Sequence, residues 1–206
     1  TLGKQNLNPK GIYYTRVSGI WQTVWLEPVP TSSLCWLYHR FSYADRTLVV
    51  TAGFSRPVTG RLSISIHREG SVVAQAAAEI DYRSEARLSF TLANAALWHP
   101  DDPTLYDLTA TLEDPLEGTV DEIESYLGLR EISWDGSGLR LNGERLYLRG
   151  VLDQGYFPDG WYTAPSDEAL RRDVELTLAL GFNCARKHQK AEDPRYLYWA
   201  DHLGLL

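Results

Sequence analysis

The stretch from residue 181 to residue 188 reads Gly181-Phe182-Asn183-Cys184-Ala185-Arg186-Lys187-His188, and it decides the fold of the carboxyl-terminal part of the chain. It contains a glycine that can stop a helix, then a short apolar strand, then a cationic turn. This order is typical of the repeating unit of a (β/α) barrel, in which functional groups collect at the carboxyl ends of the strands. We therefore expect Arg186 to lie where such a barrel places its chemistry.

The residues around this strand predict two helices, because start and stop signals occur at suitable positions. These signals are Ser166 and Gly181 for the first helix, and Asp193, Pro194 and Gly204 for the second. Leu170, Val174 and Leu178 recur at helical spacing and give the first helix one apolar face. Leu205-Leu206 is typical of the beginning of a further strand.

A hairpin is predicted before the first helix. Residues 139–148 alternate apolar and polar side chains on both sides of Asn142-Gly143, a dipeptide typical of two-residue hairpin turns. We expect the second arm to continue through Val151 and to form the first barrel strand. Strand, helix and returning strand then make a right-handed βαβ crossover.

Residues 31–132 contain short segments of alternating apolar and polar residues and lack helical periodicity. Each such segment predicts a strand with one buried face. Roughly seven of them, separated by turn residues at nearly regular intervals, indicate an immunoglobulin-like sandwich. They are 34–43, 48–54, 62–66, 72–78, 88–92, 105–112 and 120–132. No Cys…Trp…Cys pattern is present, so we expect a sandwich without a disulfide.

Residues 11–30 have strand character but no evident partner of their own. Two interpretations stay open: the segment pairs with the edge of the sandwich, or it forms the last strands of a further β-domain. In the second case, unpaired sheet edges invite association, which leaves a homo-oligomer open.

The composition argues against several functions. The net charge of -7 gives no electrostatic footprint for nucleic acid, and no apolar run is long enough to cross a membrane. Cys35 and Cys184 fall in different predicted domains, so we expect two buried free thiols rather than a disulfide or a metal site. No motif indicates a cofactor. The chain opens on Thr1 and lacks Met, so we expect a piece of a longer protein, with localisation open between cytoplasmic, secreted and periplasmic.

Five runs occur in a fixed order along the chain. They begin Ser18-Gly19-Ile20-Trp21-Gln22, Leu97-Trp98-His99-Pro100, Gly128-Leu129-Arg130-Glu131, Leu141-Asn142-Gly143 and Gly181-Phe182-Asn183. In this order they resemble glycoside hydrolase family 2, the group of the β-galactosidases, β-glucuronidases and β-mannosidases. The resemblance implies the end of a jelly-roll sugar-binding domain over residues 1–30, the sandwich over 31–132 and the first βαβα units of a TIM barrel over 133–206. The implied fold class is mainly β plus α/β.

The resemblance further implies a retaining, exo-acting enzyme that hydrolyses the O-glycosidic bonds of β-glycosides. Such enzymes use one carboxylic acid to protonate the leaving oxygen and a second carboxylate, roughly 5 to 5.5 Å away, as nucleophile. In the family both glutamates come from later barrel strands. We therefore expect no catalytic residue in this chain, no glycosidase activity of the chain alone, and a role as sandwich support and part of the substrate pocket.

Five residues are candidates for contact with a carbohydrate. Arg186 matches the arginine that ends the family's second barrel strand, and its guanidinium can hold a catalytic carboxylate or bind sugar oxygens. Asp153 and Gln154 stand where relatives carry a basic residue and a histidine, and they can bind hydroxyls. His188 follows the arginine by two residues, where the family spacing is three, and Trp161 belongs to an aromatic loop that can stack on a sugar. The structural alternatives are an ion pair, a loop hydrogen bond and aromatic packing.

A noncatalytic carbohydrate-binding or interaction module is the alternative function. The β-rich middle alone would permit it. The hairpin, crossover helix and cationic strand end favour a glycosidase segment, because a simple binding sandwich does not require them.

Overall fold

The structure is a computed structural model that describes residues 4–116 and 118–206. The strands are β1 (Gln5–Asn6), β2 (Tyr14–Thr15), β3 (Leu34–Ser42), β4 (Thr47–Arg68), β5 (Ser71–Thr91), β6 (Trp98–His99), β7 (Asp102–Pro103), β8 (Tyr106–Asp114), β9 (Gly118–Leu127), β10 (Ile132–Trp134), β11 (Leu139–Leu141), β12 (Glu144–Arg145), β13 (Gly150–Asp153) and β14 (Cys184–Lys187). The helices are α1 (Asp167–Ala179) and α2 (Pro194–Leu203). Among the described residues, neither helix has the length and apolar character needed to span a membrane.

The chain divides into two units. Glu27–Tyr147 forms the β-rich unit, and the amino-terminal segment up to Leu26 together with Leu148–Leu206 forms the α/β unit. The division into domains at residues 30 and 132 stays a prediction.

Two long, bent strands, β4 and β5, organise the β-rich unit. The first half of β4 lies between β3 and the end of β5, and its second half lies between the start of β5 and β8, which β9 extends. Register shifts around Val58 mark the bend. Gly60 is required there because a Cβ would lie 2.2 Å from the carbonyl oxygen of Glu113. If β4 and β5 are each counted as two halves, the described part of this sheet has seven strands, as predicted. The sequence does not indicate that these four halves form two continuous strands.

The predicted alternation accounts for the sandwich core. Leu62, Ile64 and Ile66 are buried on β4, opposite buried residues of β8. With inward-facing residues of β3, β5 and β9 they form one apolar cluster. Each large aliphatic side chain removed from water in this way stabilises the fold by about 1.5 to 3 kcal/mol.

Trp98 is fully buried beside the predicted hairpin turn. The guanidinium of Arg130 lies 4.3 Å from its ring centroid, and Asn142 Nδ2 donates a hydrogen bond of 3.1 Å to its carbonyl oxygen. Asn142 and Gly143 both have positive φ, 51° and 79°, as a type I′ turn requires. The predicted turn is therefore confirmed.

The second arm of the hairpin is shorter than predicted. β12 ends at Arg145, and β13 belongs to a separate sheet. The N–H of Leu146 still donates to Leu139 in the hairpin, but the N–H of Arg149 donates to Asn183 Oδ1 at 2.8 Å. This change of backbone partner ends the hairpin.

The α/β unit contains the predicted strand, helix and parallel strand. β13 and β14 pair in parallel, and α1 lies between them in the chain. Leu170 and Val174 are buried on α1, as expected for its apolar face. Leu206 continues alongside β14, since its N–H donates to the Asn183 carbonyl and its own carbonyl accepts from the N–H of Ala185.

The helix boundaries follow the predicted signals. Ser166 Oγ accepts from the N–H of Ala169, and Asp193 Oδ1 accepts from the N–H of Arg195. Gly181 and Gly204 adopt positive φ of 87° and 86° where the helices stop. Here local chemistry alone was sufficient to place the helix ends.

The prediction of strand over residues 11–30 is wrong for most of that segment. Only Tyr14–Thr15 is strand, paired in parallel with β1. Ile20, Trp25 and Leu26 are largely exposed. Apolar residues are not sufficient for a strand, because its backbone groups also need a neighbouring strand to pair with.

Both cysteines are free, but the prediction that Cys35 is buried is wrong. Cys35 is exposed because it lies at a bulge in β3, which pairs on one side only. Cys184 is partly buried in β14.

Candidate functional site

The sheet of β13 and β14 has two unlike faces. Leu152 lies opposite Arg186 and Asp153 opposite Lys187. Ala185 packs against the apolar cluster formed by α1 and α2. Because side chains alternate along a strand, Lys187 shares this helix-facing side, whereas Arg186 points to the other face, where it is exposed.

Asp153 lies on the helix-facing side. Its carboxylate forms an ion pair with Lys187 Nζ and accepts a hydrogen bond of 2.7 Å from the N–H of Gly155. Lys187 Nζ is also 3.0 Å from a carboxylate oxygen of Glu192 and 3.6 Å from the ring centroid of Tyr196. The carboxylate is thus engaged within the unit, and contact of Asp153 with a substrate stays a prediction.

Lys190 is buried although it is charged, with its side chain 1% exposed. Its Nζ donates a hydrogen bond of 2.7 Å to the Gly155 carbonyl and forms an ion pair of 2.9 Å with Glu192. The ammonium also lies near the centroids of three aromatic rings, those of Trp21, Phe157 and Tyr162, at 4.9, 5.9 and 4.7 Å. A desolvated cation over an aromatic face gains about 2 kcal/mol.

Asp153, Lys187, Glu192 and Lys190 form a chain of alternating charge, which we call the ion-pair quartet. Glu192 is 2% exposed and bridges the two lysines. Buried charges are costly unless they are paired, and here the two cations match the two anions. Of these residues only Asp153 is a candidate from the sequence alone. The available signal was a lysine at the end of a strand, a second lysine three residues later, and then a glutamate.

The residues from Gln154 to Thr163, which we call the aromatic loop, are largely held by packing. Tyr156 stacks on Tyr14 with centroids 4.4 Å apart, and Tyr162 meets Trp21 edge-on at 4.7 Å. The two tyrosines therefore have a packing role within the unit. Trp161 differs, since its side chain is 50% exposed.

Trp161 is fixed through its backbone rather than its ring. It has a positive φ of 55°, and its N–H and carbonyl both hydrogen-bond to the backbone of Phe157. The indole therefore projects from a turn closed by these two hydrogen bonds, and it is half exposed. Stacking of this ring on a sugar stays a prediction.

Gln154 and His188 lie in different surroundings. Gln154 lines an open cleft of about 430 Å³ together with Tyr156 and Asp173. The backbone N–H of His188 donates to the Asp153 carbonyl, and its buried Nδ1 has no hydrogen-bond partner among the described residues. His188 thus already has a loop role through its backbone, and a substrate role for either side chain stays a prediction.

Burial raises the pKa of several groups in this unit. Desolvation raises the pKa of Asp173, and the nearby charge of Asp153 raises it further. Desolvation likewise raises the pKa of Tyr196 and of the Cys184 thiol. A raised pKa keeps Cys184 in its unreactive thiol form at neutral pH. In residues 4–116 and 118–206, no three His, Cys, Asp or Glu residues are arranged to hold a metal ion.

Comparisons with known proteins identify relatives of both units. The model of the family "Glycosyl hydrolases family 2" matches residues 45–130. A β-galactosidase of Thermoanaerobacter pseudethanolicus is 27% identical over 98% of this chain and 28% of its own length. A putative β-glucuronidase of Formosa agariphila is 28% identical over 91% of this chain and 23% of its own length.

Solved structures agree with the fold. A β-glucuronidase from Ruminococcus gnavus, in complex with an N1-substituted uronic isofagomine, superposes with a TM-score of 0.73. The match covers 86% of this chain and 30% of that one at 22% identity, so it bears on the fold alone. The chain thus spans about a quarter of the curated relatives' length, and its residues 45–130 are similar to glycoside hydrolase family 2.

Proposed function

We propose that this chain is part of a retaining, exo-acting glycoside hydrolase that cleaves the O-glycosidic bonds of β-glycosides. The relatives named β-galactosidase and β-glucuronidase support this class of reaction. In the proposal, the sandwich supports a catalytic barrel, and the α/β unit supplies its first strands and part of the substrate pocket. The two catalytic carboxylates would lie roughly 5 to 5.5 Å apart on strands outside these residues.

The α/β unit is proposed as the opening of that barrel. Its parallel strands are joined through α1, and Leu206 already hydrogen-bonds along the next edge of β14. In a (β/α)8 barrel the helices cover the outside of the strands and the site lies at the strands' carboxyl ends. The face of the sheet away from α1 and α2 would accordingly face the barrel axis.

The position of Arg186 is the observation that carries the proposal. It is exposed near the carboxyl end of β14, on the face opposite the helices. A guanidinium there can donate two parallel hydrogen bonds to a carboxylate or to sugar oxygens. Arg186 would thereby hold a catalytic carboxylate in its reactive orientation or bind the sugar directly.

The candidate residues that follow β13 differ in how available they are to a sugar. Asp153 is paired with Lys187, whereas Gln154 lines a cleft and Trp161 is half exposed. The amide of Gln154 can hydrogen-bond to sugar hydroxyls, and the indole of Trp161 can stack on the C–H face of a sugar ring. We propose that Gln154, Trp161 and Arg186 are the principal sugar contacts. Asp153 would instead help to hold Lys187 in place through their ion pair.

The test uses the full-length protein that contains this chain and a panel of aryl β-glycosides that includes galactoside, glucuronide and mannoside. Arg186→Ala should lower kcat/KM by about tenfold to hundredfold, the range for losing a charged hydrogen bond. Arg172→Ala, which removes an exposed arginine of α1, is the matched control and should leave kcat/KM unchanged. Equal kinetics for the two variants would contradict the role given to Arg186.

The 206-residue chain alone should not turn over any of these glycosides. Turnover by the isolated chain would contradict the expectation that the catalytic carboxylates lie elsewhere. If the full-length protein binds sugars but hydrolyses none, the noncatalytic binding module becomes the better description.

A further inference from the structure

Lys190 contacts the aromatic loop near both of its ends. Its Nζ is bonded to the carbonyl of Gly155 near the start of the loop and lies 4.7 Å from the ring centroid of Tyr162 near its end. The same ammonium lies 4.9 Å from the ring of Trp21 in the amino-terminal segment. One buried charge thus contacts both ends of the loop and the segment packed against it.

The loop backbone rests directly on this lysine. Gly155 has a φ of 63°, and a Cβ there would lie 2.8 Å from Lys190 Cδ and 2.4 Å from Glu192 Oε2. Gly155 therefore allows the close approach that the hydrogen bond from Lys190 requires. A methionine at position 190 could fill a similar volume but could not donate to the Gly155 carbonyl.

The proposed sugar contacts are the immediate neighbours of residues that Lys190 touches. Gln154 precedes Gly155, and Trp161 precedes Tyr162. We infer that Lys190 is a positioning residue, which fixes the aromatic loop in the conformation that presents Gln154 and Trp161 to the substrate. The inference rests on the proposed function for its link to sugar binding, but not for the ordering of the loop.

Glu192 has a different role, because its carboxylate neutralises the charge of Lys190. In Lys190→Met the quartet keeps two carboxylates but only Lys187 as cation. In the double variant Lys190→Met/Glu192→Gln, Asp153 and Lys187 remain as a matched pair, and the glutamine can still accept at Oε1 from the N–H of Asp193. The double variant therefore restores charge neutrality without restoring the contact with the loop.

The experiment compares both variants in the full-length protein with Arg171→Met, which also removes a cation–π contact and an ion pair but lies on α1. Thermal unfolding reports charge matching, amide hydrogen exchange of residues 155–162 reports loop order, and steady-state kinetics on an aryl β-glycoside report presentation of the loop. We expect Lys190→Met to lower Tm and the double variant to recover most of that loss.

In both Lys190 variants the loop amides should exchange faster than in the parent. KM should rise about tenfold and kcat should stay within about threefold of the parent, as expected when binding common to the ground and transition states is lost. Arg171→Met should change neither quantity. The inference would be overturned if the double variant had the same KM and the same loop amide exchange as the parent. The role of Lys190 would then be limited to neutralising the charge of Glu192. Faster exchange with unchanged KM would also overturn it. If the parent hydrolyses no glycoside, the proposed function fails separately, and slow exchange in both variants would still refute the ordering role.

Discussion

The two units of the chain place their charges differently. In the sandwich, ion pairs such as Arg61–Glu79 and Arg87–Glu85 lie on the surface, over a core made of apolar side chains. In the α/β unit, Lys190 and Glu192 are almost fully buried beside a much smaller apolar cluster. Among the described residues, the buried apolar cluster has twenty members in the first unit and six in the second.

This difference determines which substitutions each unit tolerates. An apolar core loses stability in proportion to the area and volume removed, and exposed ion pairs contribute only about 0 to 1 kcal/mol. A buried set of charges is stable only while cations and anions match, so removing one member leaves another unpaired. The sandwich should therefore be sensitive to changes of shape, and the α/β unit to changes of charge.

The largest effect is expected from Trp98→Ala in the β-rich unit. The indole is fully buried and lies under the Arg130 guanidinium, so truncation should lower the free energy of unfolding by about 3 to 5 kcal/mol. Urea unfolding of the parent and the variant measures the loss. A loss below about 1 kcal/mol would mean that the surrounding residues collapse into the space, contrary to the dense packing expected for this core.

Glu192→Gln should have the next largest effect, although it removes no volume. It leaves two lysines facing one carboxylate in a buried site, which should lower the free energy of unfolding by about 3 kcal/mol. The matched control is Glu79→Gln, which breaks an exposed pair with Arg61 and should cost less than about 0.5 kcal/mol. Similar losses for both variants would remove the distinction between the two units.

Local chemistry in the sequence was enough to predict the start and stop of each helix and the turn at Asn142-Gly143. These features depend on a few neighbouring residues: a side-chain cap at Ser166 or Asp193, and positive φ at a glycine or asparagine. The alternation of apolar residues likewise predicted the core face of the segments 62–66 and 88–92. In each case the physical cause lies within a few residues along the chain.

Features that depend on distant partners were missed. Residues 16–30 have a strand-like composition but are not strand, since pairing depends on a neighbour that composition cannot reveal. The ion-pair quartet joins Asp153 to residues 187–192, and its lysines read in the sequence as an ordinary cationic turn. Of the candidate site residues, the sequence placed Arg186 at a strand end, but only the register shows that Asp153 faces the opposite side.

The smallest effect, and the only gain, is expected from Asp173→Asn. Burial raises the pKa of Asp173, and Asp153 and Glu192 raise it further against the opposing effect of Lys187 and Lys190. The folded state therefore holds this proton more tightly than the unfolded state. Stability from the group is complete below its ordinary pKa of 3.8 and decreases as the pH rises through the folded-state value.

Asparagine has the same shape and a similar helix propensity but does not ionise, so it avoids this loss. At pH 7 the variant should unfold at a higher temperature than the parent. The gain in free energy of unfolding should be smaller than the loss expected for Trp98→Ala or Glu192→Gln, and it should vanish below pH 3.8. Thermal unfolding measured from pH 3 to pH 7 tests both statements. A variant that is less stable at pH 7 would mean that the Asp173 carboxylate is needed to match the two lysines, and the quartet would have to be extended to a fifth charged member.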